Sequence, residues 1–433
     1  MAVKPYAVEV LQDGSWIDLT DRVVDITIEE DKESATTQAD ITLTLETDGN
    51  SLSPLVSASR YNVGSVLLAP NKQVRIYAAD VDPEIVTDAD LYPVFHGLLG
   101  PSIKVTTTDD EKGLSLTALD YASRRLSRYF LTDATGLTPG NLADIAQALC
   151  DLAAGAGTFT VYTPVSLTAT VTQNGLDNLC QDTNAWLALK AMCEASGLDC
   201  RYQYVASVGN WRIVIQTPST DMNSPAYAYQ GDEAWANSIE ITDDYVRNSV
   251  EVQYRDTNGD RQIVTAKNQS TGDYSIDSYG ESKVSITEAD TSIIDTATEA
   301  QALADQILAD LKGLFATCEL TVPFNSGVQI FDVVAVTDDD ASDLTQTFAV
   351  DRVTRKMADD GWSTTLEMSG AVALRRNRWL EMHGGEGIKR PFRQGDYREG
   401  SILQDHVGDE QIDTLQLAPN AVSVSGAGSG GGN

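Results

Sequence analysis

The stretch 91-LYPVFHGLLG-100 decides how this chain is read. It sets His96, one of only three histidines, in an apolar run between two segments patterned as β-strand. Val94, Phe95, Leu98 and Leu99 surround it. His96 is therefore either a base in a catalytic pocket or part of the wall of a structural barrel. A lone histidine in a half-buried strand is usually a satisfied wall residue, so the structural reading leads.

Strand signals extend outward on both sides. In 39-ADITLTLET-47, Ile41, Leu43 and Leu45 alternate with Thr42, Thr44 and Glu46, as a strand with one buried face requires. The segments 72-KQVRIYAAD-80 and 114-LSLTALD-120 continue the pattern, and the acidic 81-VDPEIVTDAD-90 reads as a connection. Residues 1–125 are thus a β-rich region, a barrel or a sandwich.

Residues 126–235 read as a small α+β unit. In 141-NLADIAQALCDLA-153 the residues Leu142, Ile145, Ala146, Leu149 and Leu152 form one helical stripe behind a capping Asn141. A second helix is expected in 183-TNAWLALKAMCEASG-197, with Trp186, Leu189 and Cys193 on one face and Gly197 as its stop. The strands 199-DCRYQYV-205 and 211-WRIVIQTP-218 follow.

Residues 236–370 return to β. The stretch 249-SVEVQYRDTNGDRQIVTA-266 predicts a hairpin turning tightly at Asn258-Gly259. The stripe Ala300, Leu303, Ala304, Ile307 and Leu311 predicts a helix over 296–313. Strands are expected in 316–324, 330–338, 347–357 and 362–370. The last carries Trp362, Thr364, Leu366 and Met368 on one face.

Residues 371–433 stop looking globular. They begin with the basic run 375-RRNR-378, whose Arg375, Arg376 and Arg378 could seat against an acidic neighbour or stay solvated. The sparse apolar residues beyond, Ile402, Val407, Ile412, Leu415, Leu417 and Val422, are too few for a core of their own. They suit a stalk where several copies meet on an axis, or a disordered tail. The final GAGSGGGN is a flexible linker by composition.

Composition narrows the function classes. At 42% hydrophobic residues the chain can bury real cores despite a net charge of -34. Residues 371–433 hold 7 Lys/Arg and 8 Asp/Glu, so the first 370 carry 23 and 56, a net of -33. Such a body repels nucleic acid, while a channel that DNA slides through without sticking stays compatible. Apolar runs such as 66-VLLAP-70 and 148-ALCDLAAGA-156 fall far short of the ~20 residues of a membrane span, so no stable membrane insertion is expected. The start, 1-MAVKPYAVEVLQDGS-15, lacks a secretory pattern, which predicts cytoplasmic synthesis.

The search for chemistry returns little. Cys150, Cys180, Cys193, Cys200 and Cys318 include no CxxC pair. The first four share one segment, where a metal or iron–sulfur site competes with the reading as buried core thiols, and their irregular spacing favours the core. His383 and His406 lie in the tail. No HExxH or GK[ST] arrangement is present, and 256-DTNGD-260 lacks the spacing of a calcium loop. No catalytic, cofactor-binding or metal residue is assigned, and no enzyme activity is expected.

The order of elements does carry a resemblance. The stretches 60-RYNVGSVLLAPNKQVRIYAAD-80, 93-PVFHGLLG-100 and 114-LSLTALDYASRRLSR-128 resemble the N-terminal barrel of phage tail hub proteins. Residues 185–203 with 211-WRIVIQTP-218 resemble that family's small α+β domain. Asn248 to Tyr254, Ser278-Tyr279-Gly280, 297-ATEAQALADQIL-308, 331-FDVVAVTD-338 and 348-FAVDRVTRK-356 look like its second barrel. The family includes hubs of contractile and flexible phage tails and the hub part of type VI secretion spikes.

The resemblance, over about residues 1–370, implies a β-rich α+β fold: two β-barrel domains (1–125 and 236–370) flanking a small α+β domain (126–235), with an extended C-terminal tail (371–433). It implies a homotrimer at the tail tip or baseplate of a virion, assembled in the host cytoplasm. Three subunits would give six barrels in a ring joining a hexameric tail tube to a three-fold tip, with DNA only in transit through the lumen. Implied partners are the tube or a distal tail protein, a tape-measure protein, and tip or fibre proteins held through Arg375, Arg376, Arg378, Ile402, Ile412, Leu415 and Leu417. The competing readings are a tail-associated cell-wall-degrading enzyme, which needs a cleft with paired carboxylates, and a carbohydrate-binding adhesin, which needs exposed aromatics on one face.

Overall fold

The structure, a computed structural model, describes residues 5–370 apart from 33–35, 48–49, 57–58, 63, 80–90, 108–111, 168, 197, 218–223, 231–235, 244–245, 257, 270, 288–293, 295, 314, 339–343 and 359–360. The expected tail over 371–433, the connection 81–90 and the helix stop at Gly197 lie outside the described residues.

Thirteen strands make one sheet that runs through both β-rich regions. The alternation read from sequence is what builds it. Ala39, Ile41 and Leu43 of Gln38–Thr44 are buried on one face, as are Leu114, Leu116 and Ala118 of Lys112–Asp120. The two β-rich regions were expected as separate barrels. Among the described residues the sheet is continuous instead, and no closed barrel is formed.

The sheet contains one strand arrangement twice. In the first region Gln73–Ala78 pairs with the long Tyr92–Thr107, that strand with Lys112–Asp120, and that with Gln38–Thr44. In the last region Val333–Asp338 pairs with the long Leu344–Ala358, that strand with Gly361–Ser369, and that with Phe315–Pro323. All these pairings are antiparallel. Each long strand shifts register part-way along, between Leu99 and Ile103 in one and between Val350 and Arg352 in the other. Such a shift re-aims the strand so that its two halves serve different neighbours. Buried positions correspond as well: Leu114, Leu116 and Ala118 match Thr364, Leu366 and Met368.

The outer strands complete the correspondence. Val23–Asp31 flanks Gln38–Thr44, and Ala236–Thr242 flanks Phe315–Pro323. On its other side Val23–Asp31 pairs with the second half of Leu344–Ala358. That pairing welds the two regions into one sheet. Met357, from the last region, packs in the core of the first, and the Trp362 ring lies 5.4 Å from that of Tyr6.

The expected helices form, with shifted ends. Leu142–Ala154 is capped as anticipated, Asn141 accepting from the Ala143 amide at 2.9 Å. The helix expected over 183–197 spans Ala185–Ala195, because the Asn184 side chain accepts from the Leu187 amide and starts it later. The helix expected over 296–313 spans Ala297–Leu311, with Thr296 as its cap. Its stripe Ala300, Ala304, Ile307 and Leu311 covers Val250, Val252 and Tyr254. This hairpin therefore belongs to its own three-stranded sheet with a separate core, off the large sheet.

The hairpin turn differs from expectation. The paired strands end at Arg255 and resume at Arg261, so the connection is longer than an Asn258-Gly259 pair. The Asp256 carboxylate accepts from the amides of Asn258 and Asp260 and closes the wider loop.

Candidate functional site

Two features bring the separate cores together. The first is the weld between Val23–Asp31 and Leu344–Ala358. Three consecutive residues of one strand and its extension face charged partners on the other. Glu30 pairs with Arg355, Asp31 with Arg352 at 2.7 Å, and Lys32 with Asp351 at 2.5 Å. Arg355 is 1% exposed. Besides Glu30, its guanidinium donates to the carbonyls of Asn325, Ser326 and Val328. A planar five-donor fork can satisfy that many acceptors at once. Asp31 and Glu367 on either side of Arg352 raise its pKa further above its ordinary value, though its own burial opposes this. Burial raises Asp351 above the usual carboxylate range against the opposing pull of Lys32, and burial pushes Asp332 up to about 6.

The second feature surrounds His96. Its neighbour Phe95 points into the first core. His96 points the other way, onto the α+β unit. Its ring stacks on Tyr121 at 5.1 Å and lies 5.9 Å from Trp211. Nδ1 lies 2.8 Å from the Tyr202 hydroxyl and Nε2 lies 3.4 Å from Gln73 Oε1. An amide oxygen only accepts, so the proton belongs on Nε2 and Nδ1 accepts from Tyr202. Tyr202 in turn stacks on Trp211 at 5.4 Å, and Tyr204 meets Tyr92 edge-on at 5.4 Å. His96 is thus an outward-facing docking residue between the sheet and the α+β unit. Arg201 extends the same junction to the last region, lying 4.7 Å over the Phe331 ring.

The electrostatics of this junction follow from burial. Desolvation, then the nearby Arg75, lowers the His96 pKa to about 4. Asp120 is driven up to about 6 by complete burial, although the Ser123 hydroxyl and the amides of Ser123 and Thr37 hold its carboxylate. That carboxylate caps the helix Tyr121–Leu126. The void between these groups, bordered by Glu30, His96, Asp120, Tyr202, Trp211 and Arg355, measures about 30 Å³. It suits a water or two, against the roughly 300 Å³ or more of a small-molecule site.

The sign of the His96 shift makes a prediction. The unfolded chain takes up this proton near pH 6.5, and the folded chain only near 4. Stability contributed by the neutral ring is therefore present above 6.5 and lost as pH falls toward 4. His96→Gln removes that dependence. Relative to the variant, the native protein should lose roughly 3 kcal/mol between pH 7 and pH 4 in chemical denaturation. Asp120 and Asp332 act in both proteins and cancel in the difference. A difference that stays flat with pH would contradict the buried neutral ring.

The cysteines resolve as core residues. Cys150, Cys180, Cys193 and Cys200 share the core of the α+β unit. Burial pushes Cys180 up to about 11 and Cys150 higher still, and a hydrogen bond with Cys193 raises Cys200 further. Such thiols are poor ligands and nucleophiles. Among the described residues no group of three or more His, Cys, Asp or Glu is placed to hold a metal. Arg375, Arg376, Arg378, Ile402, Ile412, Leu415 and Leu417 lie outside the described residues. The sequence did not single out Glu30, Tyr202, Trp211 or Arg355. Arg355 was visible only as a charge breaking the alternation of 347-TFAVDRVTRKM-357.

No protein-family model matches the sequence, and a search of curated proteins finds no match. Solved structures do match in fold. A tail protein from Neisseria meningitidis MC58 superposes with a TM-score of 0.57 at 15% identity, over 85% of this chain and 99% of that one. The 43 kDa tail protein of prophage MuSo2 from Shewanella oneidensis gives 0.54 at 12% identity, over 85% and 99%. A prophage tail protein from Listeria monocytogenes EGD-e gives 0.51 at 9% identity, over 87% and 100%. At these identities the likeness is one of fold.

Proposed function

We propose that this chain is a structural subunit of a phage tail, the hub at the tail tip or baseplate. The observation that carries the reading is the fold shared with three solved tail proteins, two of them from prophages, over nearly their whole length. In this reading the protein resides in the virion, is no enzyme, and acts by joining other tail proteins. The internal repetition of the sheet supports a finer version. Three copies, each giving two similar β bodies, form a six-fold-like ring between a hexameric tube and a three-fold tip. Residues 1–125 and 236–370 are the two similar β bodies of that ring. Residues 126–235 are the α+β domain docked through His96, and 371–433 are the stalk and linker. The net of -33 on residues 1–370 suits a lumen that passes DNA without holding it. Arg375, Arg376, Arg378, Ile402, Ile412, Leu415 and Leu417 would engage the tip or fibre proteins. The tube or a distal tail protein and the tape-measure protein are the partners at the other face.

Light scattering on the purified full chain at micromolar concentration tests this. The expected mass is three times 46.6 kDa. Deleting 371–433 should leave three chains per assembly, at the smaller mass of the shortened chain, and uncouple the tip from the tail in assembled particles. A wall-degrading enzyme would instead lose activity on one carboxylate substitution and tolerate the deletion.

A further inference from the structure

We propose that copies of this chain join edge to edge, strand Ala236–Thr242 of one pairing antiparallel with the second half of Tyr92–Thr107 of the next, Lys104 opposite Glu240. The inference deepens the ring reading and rests on it for the number of copies. The register comes from the chain itself.

The argument starts from two bare edges. Ala236–Thr242 pairs with Phe315–Pro323 on one side, and among the described residues no strand lies on the other. Tyr92–Thr107 pairs with Gln73–Ala78 only as far as Leu98, and beyond it Asn71 and Lys72 make the last bonds to Leu99. From residue 100 onward that edge has no strand beside it among the described residues, while the opposite edge stays on Lys112–Asp120. Uncovered edges of this length are templates for another strand.

The internal repeat shows what such edges do in this fold. Leu344–Ala358 is the counterpart of Tyr92–Thr107, and its matching edge is filled by Val23–Asp31. Val23–Asp31 is the counterpart of Ala236–Thr242. The one pairing is made within the chain, and in its counterpart both strands are present with the matching edges uncovered among the described residues. Within one chain the weld uses the first copy of one strand and the second copy of the other. The leftover copies complete the same bond between chains. A contact of two different surfaces is heterologous, and it closes into a ring when the rotation allows.

The register follows from shared partners. Ile28 and Ile239 are equivalent, since they pair with the matching residues Ala39 and Cys318. Val105 and Arg355 are equivalent, since they pair with Leu114 and Thr364. Arg355 pairs with Ile28 in the weld. Val105 therefore pairs with Ile239, Lys104 with Glu240, and Thr106 with Ser238. The chemistry agrees with this outcome, which the geometry alone produced. Val105 packs against the core of the first β-rich region and Ile239 against that of the last, so an apolar row continues across the contact. Lys104 and Glu240 are both exposed and of opposite charge. Opposite charges directly across an antiparallel pair are favourable and like charges are not.

Disulfide trapping tests the register. Thr106→Cys in one preparation is mixed with Ser238→Cys in another and oxidised mildly. Cα atoms of opposed strand residues lie within disulfide reach. The five native cysteines are buried and should not compete. The expected result is a covalent species of two chains, absent when Thr106→Cys meets Glu240→Cys, two positions out of register. Lys104→Glu should weaken assembly about fivefold per contact, and Glu240→Lys likewise. The double reversal should restore it, which separates a lost contact from a misfolded chain. A chain that assembles without the crosslink, or that ignores both reversals, overturns the pairing and leaves the ring reading standing. A chain that stays monomeric at every concentration overturns both.

Discussion

Replacing Arg355 with alanine should cost the folded protein about 3–5 kcal/mol, the range for stripping one partner from a buried ion pair. Two losses combine. Glu30 keeps its charge in a mostly buried site, and the carbonyls of Asn325, Ser326 and Val328 lose their shared donor. Arg355→Lys should recover little, because one ammonium cannot reach four acceptors in a plane. Adding Glu30→Gln to Arg355→Met removes the stranded charge but not the bare carbonyls, so it should recover only part. Chemical denaturation of the four proteins checks the order. An Arg355→Met single variant as stable as the native protein would show that the guanidinium is dispensable.

A single methyl group at Gly97 should cost up to about 3 kcal/mol, the upper range for overpacking a tight core. A Cβ built there meets the Leu119 carbonyl oxygen at 2.4 Å and the Phe95 ring at 2.5 Å. The ring can swing away. The carbonyl belongs to the neighbouring strand and cannot move without opening the ladder. Phe95→Leu combined with Gly97→Ala should therefore remain clearly less stable than Phe95→Leu alone. Equal stability of those two proteins would place the whole clash on the ring.

These two sites mark the limit of what the sequence discloses. Local patterns were legible: the alternation through Ile41 and Leu43, the strand through Leu366 and Met368, and the stripe behind Asn141 each describe one face of one element. Tyr6–Gln12 and Val23–Asp31 carried a similar signal in Val8, Val10, Ile26 and Ile28, half hidden among acids. What pairs with what was not legible. Arg352 meets Asp31 across 321 positions, and no local periodicity encodes that distance. His96 illustrates the same limit. Its strand was readable, and the side chains around it placed it in a wall between apolar neighbours. Beyond Tyr121, its ring neighbours Tyr202 and Trp211 come from more than a hundred residues onward, so its docking role could not be read. The repeat does not show as residue identity, since Thr364 stands where Leu114 does and Arg355 where Val105 does.

The weld also has a consequence during synthesis. The first β-rich region is complete once Asp120 leaves the ribosome, yet the partner of its strand Val23–Asp31 is translated about 230 residues later. At roughly 5–20 residues per second that strand waits on the order of 10–50 s with an open edge. Its acids, Asp25, Glu29, Glu30 and Asp31, then serve as gatekeepers that discourage premature pairing between nascent chains. The residues that lock the finished weld thus guard it while it is still unmade.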